Sequence, residues 1–223
     1  MEASIAIFLS GAREATPNFT QAVIYLADSY LLKGGVLIAL LFIAAAPARR
    51  RFFSSDNLHI PRTAGAVLIS TLVSRMLQLI LPHRDRPFTA QVSEYVDAGY
   101  VGMSSFPSDH AVLMTTIATA IFIRNRTLGL IAFGWTLAAI LAPRIYLGLH
   151  HPSDILAGVA LGAGICWAVM RAPAPPGFRT WVETLETKYP APLYLLAFLF
   201  AFETARNFGD ARAVARMVLD MVA

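Results

Sequence analysis

Arg144, His150, His151 and Asp154 stand close together between two long apolar runs. Ionisable groups at a membrane boundary are costly unless they are paired or functional. His150 and Asp154 are four residues apart, so helical geometry would put both on one face, and Pro152 suits the first turn of the helix that follows. A second polar island, Ser104 to His110, opens another apolar segment in the same way. Together with Arg86, the two islands contain the parts of a single phosphate site.

A phosphate ester or anhydride needs its nonbridging oxygens neutralised, a nucleophile in line, and an acid for the leaving oxygen. Arg86 and Arg144 supply permanently charged forks for the oxygens. Ser108 adds a hydroxyl donor, and the amides at the start of its helix can add more. A neutral imidazole can attack phosphorus when a carboxylate holds its other nitrogen, which His150 and Asp154 allow. His110 is then the separate acid, and later the base that activates water. His83 and Arg84 precede Arg86 and can reach a second phosphate, with Asp85 placed to orient either arginine. His151 is read as a neighbour that shapes the pocket or as an interfacial group. The scheme calls for no metal and no cofactor, because the arginines carry the charge.

The elements that position these residues are apolar. Of the 223 residues, 57% are hydrophobic and 14% charged, with a mean hydropathy of +0.58; a soluble domain carries about 25% charged residues. This composition points to one polytopic membrane domain over 1–223 and against a nucleic-acid partner, despite the formal charge of +4. About six spans are expected: Tyr30–Pro47, Thr63–Leu81, Ser108–Ile123, Leu128–Tyr146, Pro152–Met170 and Ala191–Phe202. Residues 1–28 read as an interfacial or external arm, and 204–223 as an amphipathic tail. Arg75 interrupts the second span and calls for an interior carboxylate or a polar cavity. Gly158 and Gly162 permit close helix packing. Cys166, the single cysteine, reads as a buried apolar residue.

The loops between the first and second, third and fourth, and fifth and sixth spans hold Arg49, Arg50, Arg51 and Arg62, then Arg124 and Arg126, then Arg171, Arg179 and Lys188. The positive-inside rule puts these loops in the cytoplasm. Both termini then fall outside, and Arg86, Ser108, His110, Arg144 and His150 share the external face.

These residues resemble the three motifs of the type 2 phosphatidic acid phosphatase (PAP2) superfamily. Arg86-Pro87 matches the end of the first, Pro107 to His110 the second, and Arg144, His150 and Asp154 keep the spacing of the third. Leu79 stands where the first motif has lysine, Pro143 where the third has serine, and Asp109 where the second commonly has glycine. The resemblance implies an all-α membrane bundle of the PAP2 type, with His150 as nucleophile oriented by Asp154. It also implies acid/base help from His110 and phosphate contacts from Arg86, Arg144 and Ser108. The Phe106 to His110 and His150 to Asp154 stretches look like the bacterial undecaprenyl-diphosphate phosphatase branch, related to bacitracin-resistance proteins. That branch implies hydrolysis of a polyprenyl diphosphate at the external face of the bacterial cytoplasmic membrane, in the service of cell-wall synthesis. Open beside it are a phosphatase for phosphatidate, phosphatidylglycerophosphate or another lipid phosphate, a lipid phosphotransferase and, from a different class, a membrane transporter.

Overall fold

The computed structural model describes residues 2–45, 58–87 and 104–222, and within these ranges the secondary structure is helical. Helices α1 (Glu2–Ala15) and α2 (Pro17–Asp28) precede α3 (Leu31–Ala45). Then come α4 (His59–Ile80), α5 (Asp109–Arg124), α6 (Arg126–Tyr146) and α7 (Pro152–Arg171). Helices α8 (Phe178–Lys188), α9 (Pro190–Ala205) and α10 (Gly209–Val222) complete the chain. Proline opens α2, α7 and α9, where its missing N–H costs nothing and its fixed φ suits the first turn.

Three of these helices, α4, α6 and α7, are long and apolar enough to cross a membrane, and α2 with α3 passes the same test as one pair bent by 61°. The second, fourth and fifth expected spans correspond to α4, α6 and α7. The first is replaced by the bent pair. The sixth is α9, apolar but only 16 residues long. The third expected span is a different object. Every residue of α5 from His110 to Ile121 is buried, so α5 is the axle of the bundle, enclosed mainly by α4, α6 and α7. Its 16 residues span about 24 Å, short of a bilayer core of about 30 Å. A helix surrounded by other helices has no need of a lipid-compatible surface, which is why Thr115, Thr116 and Thr119 are tolerated on it.

Helices α5 and α7 approach each other closely in the bundle core. A Cβ added at Gly162 would stand 2.2 Å from Val112 O, and one at Gly158 would stand 2.8 Å from Ser108 O. Glycine at both positions therefore allows backbone-to-backbone approach, as the sequence spacing leads one to expect. Thr116 Oγ1 uses that proximity to reach Gly162 O at 3.3 Å. Cys166 is fully buried on α7.

Arg75 on α4 finds the carboxylate that its place in a span demands. Its Nη2 lies 2.5 Å from Asp109 Oδ2. Ser74 and Gln78 donate to Asp109 Oδ1 at 3.0 and 2.6 Å, and Gln78 also reaches Pro107 O. The residue that departs from the common motif glycine thus ties the start of α5 to α4. Leu79, at the position of the family lysine, is exposed with Leu72, Met76 and Ile80 on the apolar outer face of α4.

Candidate active site

Three stretches of chain meet at the end of the bundle where α5 and α7 begin. The first is the non-helical segment after α4. Its Arg84 O accepts from Ser105 N at 2.9 Å, and its Asp85 O accepts from Ser105 Oγ at 3.3 Å. The second is the Ser104–Ser108 run. It contains a cis Phe106–Pro107 bond and leads into α5 with Ser108 at the N-cap. The third is the turn after α6, where Gly148 takes a φ of 72°, a left-handed conformation that glycine adopts without penalty. Leu149 N returns to Arg144 O at 2.9 Å, so the arginine and the histidine beyond it are held by one compact turn. Ser108 N then donates to Asp154 O at 3.2 Å, joining the second stretch to the third.

His150 is 3% exposed, and both of its ring nitrogens have short contacts. Nδ1 lies 2.8 Å from Ser105 O, and Nε2 lies 3.2 Å from Arg86 Nη1. A carbonyl oxygen only accepts and a guanidinium only donates. The two partners therefore select the tautomer with hydrogen on Nδ1 and a lone pair on Nε2, and that lone pair faces Arg86. Burial pushes the His150 pKa below its ordinary value; the charges of Arg86 and Arg144 act the same way, while Asp154 opposes them. Arg86 Nη1 is also anchored on Leu149 O at 2.8 Å.

The expected Asp154–His150 contact is looser than a hydrogen bond, with Nδ1 to Oδ2 at 3.8 Å. Asp154 is committed elsewhere. Its Oδ2 accepts from His151 N at 2.8 Å, capping α7, and its Oδ1 takes Arg84 Nη1 at 2.6 Å. The direct partner of Nδ1 is the backbone of Ser105, and no side-chain pattern could have announced it. Arg144 is buried, with Nη1 on Ile140 O at 2.8 Å. Ser108 is fully buried, and its Oγ has no hydrogen-bond partner among the described residues.

Arg84 is wrapped in acceptors. Besides Asp154 it meets Ser153 Oγ at 2.7 Å and Glu2 Oε2 at 2.5 Å. Asp85 does not orient either arginine. Its side chain is 98% exposed and faces His83, with Oδ1 3.3 Å from Nε2. Alternation along a non-helical stretch accounts for this: Arg84 and Arg86 turn inward together, and the residue between them turns out. His83 is accordingly at the rim rather than among the converging groups. His110, buried on the first turn of α5, has its ring against Asn207, whose Nδ2 is 3.3 Å from Nδ1. Asn207 lies between α9 and α10, far along the chain from both islands, and it gave no signal in the sequence. Glu2 likewise could not have been anticipated from local pattern.

Comparison with known proteins fits this geometry. The profile of the PAP2 superfamily matches residues 61–176. An Escherichia coli (strain K12) protein, YbjG, provisionally named an undecaprenyl-diphosphatase, is 26% identical over 80% of this chain and 88% of its own. The decaprenylphosphoryl-5-phosphoribose phosphatase of Mycobacterium tuberculosis (strain ATCC 25618 / H37Rv) is 34% identical over 59% of this chain and 67% of its own. The bacitracin transport permease protein BcrC of Bacillus licheniformis is 38% identical over a shorter stretch, 26% of this chain and 29% of its own. No solved structure matches significantly. The profile covers more than half of the chain and takes in Arg86, the start of α5 and the Arg144–Asp154 turn; this integral membrane protein belongs to the PAP2 superfamily, and within it resembles the undecaprenyl-diphosphatase branch.

Proposed function

We propose that this protein hydrolyses a polyprenyl diphosphate to the monophosphate carrier and inorganic phosphate at the external face of the bacterial cytoplasmic membrane. The observation that carries the reading is His150, held as the tautomer whose Nε2 lone pair meets an arginine fork. In the first step Nε2 attacks the terminal phosphorus while Arg86, Arg144 and the Ser108 hydroxyl hold the nonbridging oxygens. The bond from phosphorus to the bridging oxygen breaks. Its electron pair stays on that oxygen, which takes a proton from His110 and leaves as the monophosphate. Positive charge appears on the phosphorylated ring and is stabilised by Ser105 O at 2.8 Å and by the Asp154 carboxylate at 3.8 Å. Water then attacks phosphorus as His110 takes its proton. The phosphorus–nitrogen bond breaks, its pair returns to Nε2, and inorganic phosphate departs.

The external placement rests on charge. Arg62, at the start of α4, donates to Val169 O and Ala172 O around the end of α7. Arg124 ends α5. This basic end lies opposite the His150 end, as the positive-inside rule requires of a cytoplasmic surface. The prenyl chain is assigned to lipid along Leu72, Met76, Leu79 and Ile80, the exposed end of α4 nearest the site. An apolar groove of about 390 Å³, lined by Phe42, Ile60, Phe178 and Trp181, sits toward the far end of the bundle and is not part of this path.

A second reading is a phosphate monoester on a polyprenyl carrier. It is favoured by the name of the Mycobacterium relative and by the engagement of Arg84 with two carboxylates, which a substrate with a single phosphate need not displace. Phosphate release by the purified protein from a panel of polyprenyl diphosphate, polyprenyl-phosphoryl sugar phosphate and phosphatidate, with chelator present, separates the readings. The first reading expects chelator-insensitive turnover fastest on the diphosphate. Preference for either monoester, or loss of turnover in chelator, would contradict it.

A further inference from the structure

The Glu2 carboxylate sits where an anion would be expected to sit. Arg84 Nη2 donates to its Oε2 at 2.5 Å, the Ser153 amide at the start of α7 donates to its Oε1 at 3.2 Å, and His151 Nδ1 lies 4.0 Å from Oε2. The bond from Ser153 is the main influence that keeps the Glu2 carboxyl below the usual carboxylate range, with the Arg84 charge acting in the same direction against desolvation. A guanidinium fork beside a helix-start amide is a set of donors suited to phosphate. These donors adjoin the nucleophile, because Arg84 also grips Asp154, four residues after His150.

Helix α1 carries Glu2 across the mouth of the site. The cleft there is lined by Glu2, Ile5, Leu9 and Arg13 on one wall and by His150 and His151 on the other, and it retains only about 10 Å³ of free space. That is room for one water at most, and no phosphate fits. The far end of α1 is fixed separately: Arg13 donates to Tyr146 O, and Thr20 Oγ1 at the start of α2 meets the Tyr146 hydroxyl at 2.9 Å. The first turn can therefore leave while the last stays anchored.

We propose that Arg84 and the Ser153 amide form the subsite for the phosphate that His150 does not attack, and that Glu2 on α1 occupies it as a displaceable internal anion, closing the site until a diphosphate arrives. This deepens the diphosphatase reading and rests on it. Substrate with two phosphates can exchange for Glu2 and retain Arg84. Substrate with one phosphate has to open α1 without that compensation.

The test uses methylenediphosphonate, which carries two phosphorus groups and no hydrolysable bridge, with inorganic phosphate as the single-group comparison. In the wild-type protein, saturating methylenediphosphonate should speed amide exchange in residues 2–6 and leave α5 unchanged. Unchanged or slower exchange there, or no saturable binding, overturns the proposal. Glu2→Gln should tighten methylenediphosphonate binding roughly five- to tenfold, of the order of one charge-assisted hydrogen bond. Glu14→Gln, on the exposed side of the same helix, should leave binding unchanged. Arg84→Gln should weaken methylenediphosphonate at least tenfold and inorganic phosphate less than threefold, about the loss of one charged contact. Equal weakening of both probes overturns the assignment of the subsite. Binding and exchange are read without turnover. A protein that shows these responses but hydrolyses no lipid diphosphate would refute the proposed activity and leave the subsite standing. One that hydrolyses it without these responses would do the reverse.

Discussion

Arg84 and Arg86 are two residues apart on the same segment, turn inward together, and do opposite things. Arg84 is held by Asp154, Ser153 and Glu2, so most of its fork is spent on protein acceptors. Arg86 is anchored on Leu149 O and presents the same nitrogen to the His150 lone pair. The residue type is the same, and what differs is what each fork touches among the described residues: two carboxylates and a hydroxyl for Arg84, a carbonyl and the reactive-site imidazole for Arg86. A guanidinium with two acidic neighbours is a fixed post that an incoming anion must compete for. Arg86 instead sets its Nη1 between the Leu149 carbonyl and the His150 ring, where the proposed mechanism brings a phosphate oxygen.

The contrast can be broken by removing each arginine in turn. Arg86→Ala should lower kcat/KM by roughly 10²- to 10³-fold on every lipid phosphate tried, as expected when a donor aimed at developing charge is lost. Arg84→Ala should cost much less in kcat, with about a tenfold loss confined to KM for diphosphates, the size of a single charged contact. Steady-state kinetics on paired di- and monophosphate lipids checks both. Equal, substrate-blind losses would erase the distinction.

A smaller effect is expected at the ion pair that holds the scaffold. Asp109→Ala removes the carboxylate 2.5 Å from Arg75 within an apolar span and should destabilise the protein by about 2–4 kcal/mol. Thermal unfolding in detergent reads this directly. Activity per folded molecule should change less, because Asp109 faces α4 rather than the His150 cluster. The smallest effect is on pH. In the proposed mechanism the neutral form of His150 attacks, and its pKa lies below the ordinary 6.5. Activity governed by this group should therefore persist below pH 6.5 and fall only as pH drops through the depressed pKa. Arg86→Ala removes a cation and should move the acidic limb of kcat/KM upward. A limb that moves down, or does not move, would detach Arg86 from His150.

Much of this was legible in the chain, for reasons that differ by residue. Arg75 in an apolar run asks for a carboxylate or a polar cavity, and Asp109 supplies the first. Gly158 and Gly162 promise a close contact, and Val112 O and Ser108 O fill it. The ends of α4, α6 and α7 follow from apolar runs bounded by charge and proline. The enclosure of α5 was not legible, because an apolar sequence reads alike whether lipid or protein surrounds it. Nor was the partner of His150 Nδ1, which is a main-chain oxygen and has no residue signature. Spacing suggested Asp154 for that task. The carboxylate was drawn instead to its own helix cap and to Arg84, contacts that depend on segments folding together. Glu2 and Asn207 enter the site from the two ends of the chain, where only tertiary structure can bring them.

The proposed reaction depends on His150 as nucleophile. A single turnover of polyprenyl diphosphate, radiolabelled in the terminal phosphate and quenched in base with chelator present throughout, tests this most directly. The account predicts an acid-labile, base-stable phosphoryl group on His150 that forms and decays at rates competent for turnover, and that is absent from a correctly folded His150→Ala protein which no longer releases phosphate. Label at another residue, or near-normal phosphate release by the His150→Ala protein, would contradict it.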